Sequence, residues 1–189
     1  MNVPNAITLL RLTVVPIIIY LVYLPIPLAK WGALILFSIG MASDIVDGLI
    51  ARKKKMITNF GIFLDPIADK ILILSMFFVL GSMKLISFWI PLIILWRELL
   101  VTGIRSVASS HGQVIGANWM GKTKSVFQTT TIFAGLLLLA VQSENWLLDQ
   151  QLTVAHVIVI SLSFITVGLS IIFAFIFTYW NRTLLIKTI

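Results

Sequence analysis

Apolar residues gather in six long runs along the chain, separated by short stretches that hold most of the polar residues. The runs cover approximately residues 6–26, 31–50, 61–82, 86–106, 124–142 and 153–180. Each has the length, roughly 20 residues, at which a helix crosses the hydrocarbon core of a bilayer. The pattern therefore predicts six transmembrane helices. The first run follows Pro4 without a basic leader or a small-residue cleavage site, so we expect a retained helix and not a signal peptide.

The composition favours the same class of protein. Of the 189 residues, 59% are hydrophobic and 11% are charged, whereas soluble domains carry roughly 25% charged residues. A soluble chain of this length would need more polar side chains to cover its core. The sequence shows no repeat and no linker that would separate two domains. We therefore predict a single all-α integral membrane domain over residues 1–189.

Basic residues occupy alternate connections between the runs. Residues 52–55 are all lysine or arginine, and further bases follow the fourth run and the sixth. Because basic connections stay on the cytoplasmic side, we expect both termini and the connections at 51–60 and 106–123 to face the cytoplasm of a cell membrane. The net charge of +7 suits contact with anionic membrane lipids. The bases flank apolar runs, so no nucleic-acid partner is expected.

Four aspartates lie where the second run ends and the third begins. Asp44 and Asp47 are three residues apart, and Asp65 and Asp69 are four apart, so each pair shares one helix face. A short connection makes the two helices antiparallel, and the four carboxylates can then converge at one depth. A single aspartate there could simply pair with a nearby lysine. Four would repel one another unless cations neutralise them. Mg²⁺ and Mn²⁺ accept such oxygen ligands, and two of these ions would nearly neutralise the four charges.

Small and basic residues between these aspartates extend the pattern. Written out, it is Asp44-x2-Asp47-Gly48-x2-Ala51-Arg52-x8-Gly61-x3-Asp65-x3-Asp69. The small residues leave room for a ligand beside the carboxylates, although either glycine alone could equally serve helix packing. The arginine can hold a phosphate with two hydrogen bonds. At every fixed position and gap, the pattern resembles the signature of the CDP-alcohol phosphatidyltransferase family.

The resemblance implies a fold, an activity and a set of site residues. The fold would have six transmembrane helices with a cytoplasm-facing polar cavity, commonly in a homodimer. The enzyme would catalyse attack of an alcohol hydroxyl on the phosphorus of a CDP-linked lipid, with release of CMP. Asp44, Asp47 and Asp65 would bind the metal, and Asp69 would be the catalytic base and also touch a metal. The residues that would contact the CDP-lipid are Asn5, Thr8, Asp47, Gly48, Ala51, Arg52 and Gly61.

Two interpretations of the N-terminal stretch "NVPNAITLLRL" stay open. Asn5, Thr8 and Arg11 share one helical strip, which would suit contact with the CDP-lipid. The same strip would suit a helix start at the membrane interface, with Asn5 as its cap. In the fourth run, Arg97 and Glu98 are expected to form a structural ion pair.

The acceptor alcohol is predicted from three stretches taken together. The N-terminal stretch, "RELLVTGIR" and "GKTK" resemble segments of the bacterial phosphatidylglycerophosphate synthases, a branch of the same family. That branch implies CDP-diacylglycerol and glycerol 3-phosphate as substrates, with Arg105, Lys122 and Lys124 binding the acceptor phosphate. Membrane anchoring is the alternative role for these bases. Inositol phosphate, phosphatidylglycerol and serine remain alternative acceptors, and a divalent metal-ion transporter is the alternative from another class.

Overall fold

The computed structural model describes residues 3–54, 59–110, 119–144, 146 and 148–182, with side chains described at 8–43, 66–110, 119–144, 146 and 148–182. Within these ranges the chain forms six helices and no strand, so the predicted all-α class is confirmed. The helices are α1 (Val3–Tyr23), α2 (Pro27–Lys54), α3 (Asn59–Ser82), α4 (Trp89–Ser110), α5 (Trp119–Ser143) and α6 (Asp149–Trp180).

The helix ends depart from the ends of the apolar runs for local reasons. The first run was expected to continue to residue 26, but α1 ends at Tyr23. Pro25 and Pro27 explain this early end, because proline lacks the N–H that a continuing helix needs. Pro27 instead opens α2, since the first helical position requires no such donor. At its other end, α2 continues through basic residues to Lys54, past the apolar run.

The turn between α3 and α4 also has a clear chemical cause. The N–H of Leu85 donates to the carbonyl of Leu80 at 3.1 Å, and that of Lys84 donates to the carbonyl of Gly81 at 3.1 Å. This pair of bonds is a Schellman motif, which satisfies carbonyls at a helix end. Lys84 has a φ of 59°, the left-handed conformation that the motif requires. The two leucines are both buried and close the turn over the core.

Neighbouring helices pack into one bundle. α1 lies against α2 and α3, α5 contacts α2, α3 and α6, and α4 contacts α3 and α6. The fully buried large side chains come from five of the helices and form the centre of the core: Ile18, Phe37, Leu72, Met76, Phe77, Leu80, Ile94, Ile132 and Leu136. The helices are thus held by apolar packing through the middle of the bundle.

Contacts between distant parts of the chain define one end of the bundle. The hydroxyls of Tyr23 and Ser82 are 2.6 Å apart, and the rings of Trp31 and Trp146 have centroids 5.9 Å apart. The end of α1, the start of α2, the end of α3 and the α5–α6 turn therefore lie together. The aspartate-bearing segments of α2 and α3 lie towards the opposite ends of those helices.

Within the part of the chain that the structure describes, two helices are long and apolar enough to cross a membrane. They are Trp119–Ser143 and Asp149–Trp180. Shorter apolar helical stretches occur at Thr8–Tyr23 and Pro27–Ser43. Large apolar side chains such as Leu28 and Phe175 are exposed by 77% and 73%. Such a surface is stable against lipid and costly against water. These features indicate a membrane protein.

Candidate active site

The backbone brings the two aspartate-bearing helix segments to the same end of the bundle. A Cβ added to Gly40 in α2 would lie 3.5 Å from Cδ2 of Leu72 in α3, so the helices touch there. Asp44 follows Gly40 by one turn, and Asp69 precedes Leu72 by about one turn. Both steps lead towards the connection that joins the helices. The side chains of Asp44, Asp47 and Asp65 lie outside the described residues.

Asp69 lies on the wall of a cavity of about 520 Å³. Helices α3, α4, α5 and α6 supply the described lining. The polar members of that lining are Asp69, Lys70, Arg97, Glu98, Thr102, Arg105, Lys122, Lys124, Ser125 and Gln128. The cavity therefore joins the predicted base to all three residues predicted to bind the acceptor phosphate.

Positive charge dominates the described part of the cavity wall. Five lysine or arginine side chains line it, against the two carboxylates Asp69 and Glu98. In a site with apolar walls such an excess of cations attracts anionic ligands strongly. The cavity is thus suited to a molecule that carries phosphate groups.

Arg97, Glu98 and Lys124 form one connected ion cluster between α4 and α5, and a hydrogen bond links this cluster to α6. Arg97 Nη1 donates to Oε1 of Glu98 at 2.9 Å, and Lys124 Nζ bonds to the same oxygen. Arg97 Nε also donates to the backbone carbonyl of Ser170 in α6 at 3.2 Å. The ion pair expected between Arg97 and Glu98 is present, and Lys124 joins it. Lys124 therefore ties α5 to α4 at the cavity wall.

A second polar link crosses from α3 to α4. Lys70 Nζ donates to Oγ1 of Thr102 at 2.6 Å, and Oγ1 of Thr102 donates to the backbone carbonyl of Glu98 at 2.7 Å. The ammonium group of lysine has three donors, so this bond uses one of them. Lys70 is thus oriented along the cavity wall, next in sequence to Asp69.

Arg105 and Lys122 lie at the outer part of the wall, near the facing ends of α4 and α5. Both side chains are exposed, and the guanidinium of Arg105 stacks 5.5 Å from the ring centroid of Phe177 in α6. Cation–π contact leaves the edge of a guanidinium able to donate hydrogen bonds. These two cations are therefore accessible to a phosphate that enters the cavity.

Of the residues predicted to contact the CDP-lipid, only Thr8 has a described side chain. Thr8 is buried in α1 with 2% exposure, as is Arg11 with 3%, and no described side chain of α1 belongs to the lining. The side chains of Asn5, Ala51 and Arg52, and the surroundings of Gly48 and Gly61, lie outside the described part of the chain. Their proposed role stays a prediction.

The metal prediction rests on the chemistry of the donor set. Among the described side chains, no group of three or more His, Cys, Asp or Glu residues is close enough to hold a metal ion. Three of the four predicted ligands, however, lie outside that set. The fourth, Asp69, lines the cavity, and the backbone places the others within a few turns of it at one end of α2 and α3. Carboxylate oxygens are the ligands that a hard divalent cation prefers, and the four-aspartate site stays a prediction.

Four polar cavity residues were not predicted from the sequence: Lys70, Thr102, Ser125 and Gln128. Lys70 and Gln128 are polar residues in apolar runs, which is by itself a signal of a functional or paired side chain. Gln128 follows Lys124 by four residues, so the two share a helix face. Thr102 gave no such signal, because threonine is common within membrane helices and its contact with Lys70 depends on the packing of α3 against α4.

Comparisons with known proteins agree on one family. The family model of the CDP-alcohol phosphatidyltransferases matches residues 1–180. A protein of Bacillus subtilis (strain 168) named CDP-diacylglycerol–glycerol-3-phosphate 3-phosphatidyltransferase is 39% identical over 72% of this chain and 77% of its own. Proteins of the same name from Rickettsia bellii (strain RML369-C) and Escherichia coli (strain K12) are 36% and 30% identical, over 67% and 69% of this chain and 70% and 74% of theirs. The chain belongs to the CDP-alcohol phosphatidyltransferase family.

Proposed function

We propose that this enzyme transfers the phosphatidyl group of CDP-diacylglycerol to glycerol 3-phosphate, which yields phosphatidylglycerophosphate and CMP. The observation that supports this most is the cavity in which Asp69 shares a wall with five cationic side chains. The names of the relatives support the same pair of substrates.

The reaction exchanges one bond to phosphorus for another. The oxygen of the free primary hydroxyl of glycerol 3-phosphate forms a bond to the lipid-linked phosphorus, and the bond from that phosphorus to the oxygen of CMP breaks. The proton of the hydroxyl passes to the carboxylate of Asp69, and the bond electrons leave with CMP. A carboxylate suits this role because it accepts the proton as the hydroxyl becomes nucleophilic.

Members of this family generally depend on divalent metal ions, and we infer that Asp44, Asp47, Asp65 and Asp69 would hold two of them, Mg²⁺ or Mn²⁺. When bound, such ions neutralise charge on the attacked and leaving phosphates. Arg52, at the end of α2, would hold the diphosphate, with Gly48, Ala51 and Gly61 leaving it room. Asn5 and Thr8 would contact the CDP-lipid from α1.

A phosphorylated acceptor explains the excess of cations better than an uncharged one. The CDP-lipid contains a diphosphate, which the metal ions and Arg52 would bind. The cavity wall adds Arg105 and Lys122 at its accessible end and Lys124 within its ion cluster. Serine brings no phosphate, so these additional bases would have no partner in a serine-specific enzyme. Membership of this family also disfavours an ion transporter.

The helices and the distribution of bases support a membrane setting. We infer six transmembrane helices in one domain over residues 1–189, in the cytoplasmic membrane, with both termini and the cavity mouth on the cytoplasmic side. Membrane lipids would surround the exposed apolar side chains of α2 and α6. The family resemblance favours a homodimer.

An acceptor screen tests the proposed function. The purified protein in detergent–lipid micelles would receive CDP-diacylglycerol and Mg²⁺ with one acceptor at a time: glycerol 3-phosphate, inositol phosphate, phosphatidylglycerol or serine. We expect fast CMP release with glycerol 3-phosphate and only background release with the others. A faster reaction with any of the other three would replace the proposed acceptor.

A further inference from the structure

Gln128 places an unused hydrogen-bond donor on the wall of the cavity. The side chain is buried, with 2% exposure, and it lines the cavity one helical turn beyond Lys124. Its amide nitrogen Nε2 has no hydrogen-bond partner among the residues that the structure describes. A buried donor without a partner destabilises a protein, so such a group is satisfied by ordered water or by a bound molecule.

The surroundings of Gln128 indicate what that molecule presents. Gln128 lies six residues beyond Lys122 on α5, about 9 Å along the helix axis at 1.5 Å per residue. The accessible cations Arg105 and Lys122 therefore lie at the outer part of the cavity, and Gln128 lies at the inner part. Ile73, Leu74 and Phe173 also line the wall. A neutral donor beside apolar walls suits an uncharged oxygen on a short carbon chain.

We propose that Gln128 recognises the glycerol part of the acceptor by donating a hydrogen bond to its middle hydroxyl, the one that does not react. This inference rests on the proposed function. The phosphate of the acceptor lies at Arg105 and Lys122, the reacting hydroxyl lies near Asp69, and the middle hydroxyl reaches the amide of Gln128. Gln128 is then a residue that determines acceptor specificity, separate from the base and from the phosphate-binding cations.

The test compares glycerol 3-phosphate with 3-hydroxypropyl phosphate, which keeps the phosphate and the reacting hydroxyl but lacks the middle one. For the unaltered enzyme we expect roughly 10-fold higher kcat/KM with glycerol 3-phosphate. Gln128→Met removes both amide donors at similar size and should reduce this preference to about 1-fold. The KM for CDP-diacylglycerol should stay within about twofold of its original value.

Two further variants make the result decisive. Gln128→Leu also removes the whole amide, at a somewhat smaller size, so it should lose the preference too, and it replaces Gln128→Met if that variant fails to fold. Gln142→Met is the matched control, because Gln142 is an exposed glutamine near the other end of the same helix; it should keep the full preference.

Three results would overturn the inference. The first is an unaltered enzyme that uses both acceptors equally, and the second is a preference that survives in both Gln128 variants. The third is a rise in the KM for CDP-diacylglycerol with the acceptor preference intact, which would assign Gln128 to the lipid substrate. Failure of the unaltered enzyme to use glycerol 3-phosphate at all would instead remove the proposed function, and this inference with it.

Discussion

At the scale of single residues, the cavity cations divide into two kinds. Lys124 bonds to Glu98 and Lys70 to Thr102, so part of their bonding capacity holds helices together. Arg105 and Lys122 are exposed at the outer wall and can turn towards a ligand. We therefore assign binding of the acceptor phosphate mainly to Arg105 and Lys122.

Replacing the accessible cations should therefore weaken acceptor binding selectively. Arg105→Ala and Lys122→Ala each remove charged hydrogen bonds to a phosphate, worth about 1.5–3 kcal/mol. The KM for glycerol 3-phosphate should rise by roughly 10- to 150-fold, and the KM for CDP-diacylglycerol should change much less. Steady-state kinetics with each substrate varied in turn measure both. An unchanged acceptor KM in both variants would reduce these residues to membrane anchors.

Removal of divalent metal should abolish the reaction. The four aspartates and the phosphates of both substrates are negatively charged, so the aspartates cannot neutralise those phosphates without a bound cation. Excess chelator should therefore stop CMP release, and added Mg²⁺ or Mn²⁺ should restore it. Full activity in the presence of chelator would show that the aspartates have another role.

The residue scale also shows where sequence reasoning succeeds and where it ends. Charged residues in apolar runs are conspicuous, so Asp69 and Arg105 were predicted as site residues and Arg97 with Glu98 as a structural pair, and all four line the cavity. Lys70 stands in an apolar run as well and was missed. The bond from Lys124 to Glu98 was not predicted, because it joins α5 to α4. The two residues are 26 positions apart, and only the helix packing determines which oxygen the lysine reaches.

At the scale of helices, close approach depends on small residues. A Cβ added to Gly135 in α5 would lie 2.7 Å from both Cδ1 and Cδ2 of Leu80 in α3. Leu80 has 0% exposure, so it has little space into which to move. Gly135 therefore lets α5 approach α3 closely, beyond the segments of these helices that line the cavity.

Adding one methyl group at this contact should destabilise the bundle. We expect Gly135→Ala to lower the free energy of unfolding by about 1–3 kcal/mol through overpacking. Gly168→Ala is the matched control, because an added Cβ on α6 meets no atom within 4 Å; it should be neutral or stabilising by up to about 1 kcal/mol. Thermal unfolding in detergent compares the two. Equal unfolding temperatures for the two variants would show that the side chain of Leu80 can move aside without lowering the stability of the bundle.

Helix existence was predictable from the apolar runs, whereas helix ends depended on local chemistry. The two prolines after Tyr23 stop α1 before its run ends. In contrast, α5 begins at Trp119, five residues before its apolar run, because Lys122 and Lys124 are good helix formers despite their charge. The hydropathy of the sequence indicates which part of a helix is surrounded by lipid or by the protein core. It does not indicate at which residue the helical hydrogen bonds end.

At the scale of the whole molecule, the two ends of the bundle differ in chemistry. Tyr23, Ser82, Trp31 and Trp146 meet at one end, and the cationic cavity opens towards the other. The proposed orientation would set the cavity end on the cytoplasmic side of the membrane. It would place the chemistry where water-soluble glycerol 3-phosphate is supplied and CMP is released.

Single cysteines can test this orientation, since the chain has none of its own. Ser87 precedes α4 and Ser110 ends it, and both are exposed. A membrane-impermeant thiol reagent should label Ser87→Cys in intact cells and label Ser110→Cys only after the membrane is opened. The opposite labelling pattern would invert the proposed orientation, and labelling of both in intact cells would contradict a membrane-spanning α4.

The central claim is that Asp69 and the cationic cavity together transfer the phosphatidyl group to glycerol 3-phosphate. The most direct measurement is mass spectrometry of the lipid product beside CMP release, for the unaltered enzyme and for Asp69→Asn. The unaltered enzyme should form phosphatidylglycerophosphate and CMP in equal amounts, and Asp69→Asn should form neither at more than roughly a hundredth of that rate. CMP release without the phosphorylated lipid, or a wild-type rate from Asp69→Asn, would contradict the account.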